Sequence, residues 1–155
     1  MSGSPFASGS CPTYDKDNLA LLSAGYIDST GNLVAEHDAA AAHLGSPWRM
    51  PTVDEIDALI SNCTTSWTTT NGVYGRLVTG TGAYANRSIF LPAAGYGHGS
   101  GLYGPGSNGS CWSSSPDPDG YGDAWYLDFN SDDMSSSRDY FRNHGQSVRP
   151  VRDAD

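Results

Sequence analysis

Behind Thr52, the apolar residues Ile56, Leu59 and Ile60 recur at helical spacing, and Glu55 stands three residues after Thr52. This spacing predicts a helix running to about Asn62, opened by a capping box in which the Thr hydroxyl and the Glu carboxylate each satisfy an orphaned backbone amide. A shorter helix is predicted ahead of it, over Glu36 to Leu44, where an Ala-rich run stops at Gly45 with Pro47 beyond. Residues 19 to 34 read as a hairpin of two short strands turning through Asp28 to Asn32. From Trp67 onward, short apolar runs such as Arg76 to Val78 and Ser88 to Pro92 alternate with Gly, Asn and Ser clusters, which predicts strands and long loops. Helices first and strands after give an α+β domain.

Two segments near the C-terminus carry the most geometric information. In Ala124-Trp-Tyr-Leu-Asp-Phe-Asn130, period-2 alternation sets Trp125, Leu127 and Phe129 on one face and Tyr126, Asp128 and Asn130 on the other, so one face is core and the other open. Gln146 to Arg152 reads as a final strand, with Pro150 demanding an edge or a boundary.

The chain has 155 residues, a length that suits one domain with a single core. Its 19 Gly and 9 Pro signal many turns. A net charge of -9 with Lys16 as its single Lys leaves no basic stripe, so nucleic acid is not expected as a partner. No run of 18 apolar residues predicts membrane insertion by this chain, and its leading residues show neither the basic start nor the apolar stretch of a signal peptide. Cys11, Cys63 and Cys111 are odd in number and lack CxxC spacing, which indicates neither a zinc site nor a disulfide framework.

The catalytic and metal motifs are weak. Gly99-Ser-Gly-Leu-Tyr-Gly104 matches a dinucleotide fingerprint in letters only, because it neither follows a clear strand nor opens a helix, and it reads better as a glycine-rich loop. Asp117-Pro-Asp-Gly-Tyr-Gly122 with Asp128 partly matches a calcium loop, yet Tyr121 holds a ligand position, the last position is not Glu, and no helices flank it. His37 and His43 lie six apart on the predicted first helix and point to different faces, so they do not make a metal pair. Ser, His and Asp are too frequent for a triad to stand out, and Cys111 beside Trp112 reads as a small packed side chain. No catalytic residue, metal ligand or cofactor is assigned, calcium being the one metal with any motif.

Composition adds a further signal. From Tyr96 to Asp155 there is no Lys and no Glu, yet there are nine Asp, several Tyr and a dense scatter of Ser and Gly. Turn chemistry favours Asp over Glu, because Asp bonds to its own backbone, but it does not remove Lys.

Four ordered stretches carry a resemblance: Trp48-Arg-Met-Pro-Thr52, Ile89-Phe-Leu-Pro-Ala-Ala-Gly-Tyr96, Cys111-Trp-Ser-Ser-Ser115 and Gly145-Gln-Ser-Val-Arg-Pro-Val-Arg152. Over about residues 35 to 153 the chain resembles the Fibrobacter succinogenes major paralogous domain, a branch of the C-type lectin fold related to formylglycine-generating enzymes. It departs from that pattern at Cys111, where the family usually has an aromatic residue. The resemblance implies a C-type lectin-like fold with two helices near the N-terminus and a small twisted antiparallel sheet with long loops. One domain, 1–155, is expected, with the N-terminal strands (1–34) ahead of helices and scaffold (35–95) and a variable region with the closing strand (96–155).

Many domains of this branch look like variable proteins of diversity-generating retroelements, which mutate adenines and so favour Asn codons as targets. Such a codon can become Tyr, Asp, His, Ser, Gly, Arg, Phe or Cys, and cannot become Lys, Glu, Gln, Met or Trp, which reproduces the bias. The resemblance therefore implies variable, ligand-binding positions at His98, Tyr103, Asp119, Tyr121, Asp123, Tyr126, Asp128, Asp132, Asp133, Arg138, Asp139, Tyr140, Phe141 and His144. Trp48, Trp112, Trp125, Leu127, Phe129, Met134 and Val148 are implied as scaffold, with Gln146 fixed among them. Mixtures of Tyr, Ser, Gly and Asp are also what antibody loops use, where Tyr gives large contact area at low entropic cost. The expected activity is binding of a protein or glycan ligand on another cell or virion, from a bacterial cell surface or a phage. The alternatives are an ordinary, non-diversified domain of the same fold, or an oxidase, which would need a cysteine pair where this half of the chain has only Cys111.

Overall fold

A computed structural model describes residues 4–153. The expectations for Met1 to Gly3 and for Ala154 and Asp155 lie outside the described residues. The order is α1 (Asn18–Ser23), α2 (Ala39–Leu44), α3 (Val53–Asn62), β1 (Cys63–Thr70), β2 (Val73–Gly80), β3 (Ser88–Pro92), β4 (Tyr96–His98), β5 (Gly101–Tyr103), β6 (Gly109–Pro116), β7 (Asp123–Phe129) and β8 (Met134–Phe141). The strands pair antiparallel into sheets β1-β2-β3, β4-β5 and β6-β7-β8. The α+β class and its helices-before-strands order are as the sequence predicts.

The hairpin expected over residues 19–34 is corrected. Asn18–Ser23 is helical because the Asp17 carboxylate caps it, accepting from the Ala20 amide at 2.8 Å, while Leu21 is buried. Of the hairpin only a single Ile27–Leu33 bridge remains, around a turn in which the Asp28 carboxylate accepts from the Thr30 amide. α2 starts three residues later than Glu36, since Asp38 is its cap. The buried Asp38 carboxylate accepts from Ala40 and Ala41 at one oxygen and from the Met50 amide, at 2.8 Å, at the other. His37 thus precedes the helix and meets the Tyr26 ring at a tilt.

α3 has the predicted bounds and the predicted capping box. Glu55 does double duty, because Arg49 reaches it with two nitrogens at 2.7 and 2.6 Å and also meets Asp153 at 2.8 Å. The Trp-Arg-Met-Pro-Thr stretch therefore joins the start of α3 to the end of the chain. β1 begins at Cys63, earlier than the apolar pattern suggests, because its Thr-rich run has no apolar alternation to read. It turns into β2 at Asn71 and Gly72, whose φ of 51° and 80° fit the turn that matches strand twist.

The core joins one helix to both larger sheets: Ile56 from α3, Val78 and Leu91 from β2 and β3, Cys111 from β6, and Leu127 and Phe129 from β7. Phe129 is 0% exposed, and Gly109 across from it must be Gly, since a Cβ there would lie 2.0 Å from the ring. The serines of the Trp-Ser-Ser stretch are ties rather than surface. Ser113 donates to the Trp125 carbonyl at 2.7 Å, and Ser115 accepts from the Val53 amide while donating to Asn32 at 2.6 Å. The closing strand expected over Gln146 to Arg152 is corrected to an extended segment with isolated bridges, Ser147 to Cys111 and Val151 to Arg49, because Pro150 interrupts the ladder.

Candidate ligand-binding site

The open side of β6-β7-β8 follows from its register. Ser110 lies opposite Asp128, Trp112 opposite Tyr126, Tyr126 opposite Arg138, and Ala124 opposite Tyr140. Cross-strand partners share a face, so Tyr126, Asp128, Arg138 and Tyr140 come together on the side away from Leu127 and Phe129. Trp125, expected with those two in the core, is only half-buried, and it lines a groove with Asn18, Thr30 and Pro118.

On this side the aromatic rings form one connected belt. Tyr126 meets Trp112 edge-on at 5.8 Å and Tyr140 at 6.4 Å. Tyr140 meets His144 at a tilt, 4.3 Å away, and Tyr96 at 6.2 Å, and Tyr96 stacks on Tyr103 at 5.8 Å. Phe141 extends the belt to Tyr14, 5.5 Å away. His98 hydrogen-bonds His144 through Nδ1 and Nε2. Burial, and then the neighbouring His98, lower the His144 pKa, so its imidazole stays neutral at neutral pH.

Beneath the belt is a pocket of about 80 Å³ lined by Tyr96, Asn108, Ser110, Tyr126, Asp128, Tyr140 and Gln146. Removal from water raises the Asp128 pKa, opposed by Arg138 and reinforced by Asp133. The Tyr126 hydroxyl is pushed up to about 12 by burial and by Asp128. The Ser110 hydroxyl and the Gln146 carbonyl oxygen are buried with no hydrogen-bond partner among the described residues. Unsatisfied buried polar atoms and a destabilised carboxylate mark a functional pocket better than a packed wall.

The N-terminal segment is stitched to the edge of this site. The Arg142 guanidinium donates to the Thr13 carbonyl at 2.6 Å, to that of Asp123 at 2.7 Å, and to that of Lys16. Phe6 lies against Gly97 and Gly145, where a Cβ would come within 2.4 and 2.2 Å of its ring, and its carbonyl accepts from Asn143 at 2.6 Å.

The model of the Lcl C-terminal domain family matches residues 20–152 of this chain, from within α1 through β8 and the closing segment. The chain belongs to this family. It is a C-type lectin-like domain. Searches of curated proteins and of solved structures return no match.

In this Lcl C-terminal domain the residues expected to vary are not all in one place. His98, Tyr103, Tyr126, Asp128, Arg138, Tyr140, Phe141 and His144 belong to the belt, its pocket or their rim. Tyr121, 72% exposed, and Asp119 stand on the loop before β7, while Asp132 and Asp133 lie in the β7–β8 turn, where the Asn130 carboxamide accepts from both amides. Asp139 pairs with Trp125 and so shares the other face, near Asp123, whose pKa is raised by burial and then by Asp139.

Of the scaffold residues, Leu127 and Phe129 are core, Met134 packs against it and Val148 is half-buried. Trp48 is 37% exposed beneath the Arg152 guanidinium. Trp112 is part of the site itself, its indole donating to the His144 carbonyl at 3.3 Å. Tyr14, Tyr96, Asn108 and Ser110 join the site without being expected there, and Gln146, expected as frame, lines the pocket. Period-2 reading of β6 gives Ser110 the same side as Trp112, whereas nothing local marks Tyr14. Around Gly120 the carboxylates of Asp117 and Asp123 approach each other, but among the described residues no group of three or more His, Cys, Asp or Glu is placed to hold a metal ion.

Proposed function

We propose that this domain is a ligand-binding module whose C-terminal region, 96–155, is a hypervariable surface generated by a diversity-generating retroelement. It is the variable end of a single domain with kinship to the Fibrobacter succinogenes major paralogous domain, carried at a bacterial cell surface or on a phage virion. Its ligand is a protein or glycan on another cell or virion. The observation that carries this reading is the strict division of β7: Tyr126 and Asp128 line the pocket, whereas Leu127 and Phe129, between and after them, are 3% and 0% exposed. A surface that changes by mutation needs this separation, because random replacement of core positions would unfold the domain.

A binding role rather than an oxidase role is supported by Cys111. It is buried in the core, and removal from water pushes its thiol up to about 11, so almost no thiolate exists at neutral pH. Sequencing many copies of the locus tests the proposal: positions 126, 128, 139 and 140 should differ between copies while 125, 127 and 129 stay constant. Invariance at the first set would leave an ordinary domain of the same family.

A further inference from the structure

We infer that the pocket under Tyr96, Tyr126 and Tyr140 receives a primary alkylammonium group, supplied by a lysine side chain or an amino sugar. The inference rests on the ligand-binding reading above and names the chemistry of that site. Three tyrosine rings surround the pocket, with centroids 6.2 Å apart for Tyr96 and Tyr140 and 6.4 Å for Tyr126 and Tyr140. A cation seated over the face of any of these rings, within about 6 Å of its centroid, is attracted by the ring quadrupole.

The acceptors fit the same group. An ammonium offers three N–H donors and accepts nothing, and the pocket offers the Asp128 carboxylate, the Ser110 hydroxyl oxygen and the Gln146 carbonyl oxygen. Ser110 is 6% exposed, and its oxygen and that of Gln146 have no partner among the described residues, so both gain from a donor. The pocket of about 80 Å³ is well above the space one water needs, which leaves room for the ammonium and the methylene next to it. An anion would face Asp128, with Asp133 behind it. Arg138, exposed on β8, acts on Asp128 from outside and competes with an incoming cation.

The test is an NMR titration of the full chain with Nα-acetyl-lysine methylamide and with glucosamine, against choline, which has no N–H, and Nα-acetyl-norleucine methylamide, which has no charge. Saturable shifts of the Ser110, Tyr126, Asp128 and Gln146 amides by one or both primary amines are expected, and the tighter of the two identifies the source as protein or glycan. Asp128→Asn, with its folded spectrum checked, should weaken binding on the order of tenfold. Tyr140→Ala should weaken it as well, and Arg138→Ala should strengthen it about twofold. If neither amine moves these resonances, or if choline or the norleucine derivative binds as well, the inference is overturned. A locus that varies while neither amine binds leaves the diversified-surface reading standing, whereas amine binding at an invariant locus does the reverse.

Discussion

Leu127 and Phe129 on one side of β7 are 3% and 0% exposed and share a cluster with Ile56, Val78 and Leu91, while Tyr126 and Asp128 on the other side line a pocket with unpartnered oxygens. The two sides differ in what holds them. The first is fixed by close packing and tolerates little change in volume. The second is a set of rings in edge-on, tilted and stacked contact above polar atoms, supported from behind by the first and from the side by Arg142. A strand with one rigid side can present almost any residue on its other side at little cost to the fold.

Phe129→Ala should lower stability the most, by about 3–5 kcal/mol in urea unfolding, as expected for emptying a fully buried ring. Gly109→Ala should cost about 1–3 kcal/mol or more by crowding the same ring from the neighbouring strand. Next comes Arg142→Met, which removes the guanidinium bonds to the Thr13, Lys16 and Asp123 carbonyls, of which those of Thr13 and Asp123 keep a backbone donor, and should cost about 1–3 kcal/mol, with trypsin cutting faster after Lys16. A cost below 0.5 kcal/mol, with no change in cleavage, would show that the N-terminal segment needs no tether.

A smaller effect depends on pH. The folded His144 pKa is depressed by burial and by His98, so as pH falls below the unfolded value of about 6.5 the unfolded chain takes up the proton first, and stability declines until the folded pKa is passed. His144→Gln should flatten that slope in thermal melts between neutral and mildly acid pH. Least of all, Tyr140→Ala should cost less than about 1 kcal/mol despite its ring contacts. Asp128→Asn should raise the melting temperature slightly, because burial disfavours the charge that it removes. If Tyr140→Ala destabilises as much as Phe129→Ala, the two faces of the β6-β7-β8 sheet do not differ and the comparison fails.

Much of the fold was legible where signals are local. Thr52 and Glu55 bound α3, Gly45 ended α2, and the alternation in β7 separated Tyr126 and Asp128 from Leu127 and Phe129. The errors lay where one local signal competed with another: the Asp17 cap made a helix of residues whose apolar pattern alone read as strand. The site was half legible. Tyr126, Asp128 and Tyr140 were named from the sequence, but Tyr14, Tyr96 and Ser110 join them only through strand pairing and the Arg142 tie, which connect residues far apart in the chain.

By itself the sequence determined the class, the helix that anchors the core and the two-sided character of β7, because caps, turns and period-2 alternation act over a few residues. Which of its many Tyr, Ser and Asp residues share one pocket was decided only in three dimensions. Register brings Ser110 to Asp128 and Trp112 to Tyr126, and the packing of β4 and the closing segment adds Tyr96, Gln146 and His144. Long-range pairing depends on how whole elements bury their apolar faces together, and no short stretch of sequence encodes that.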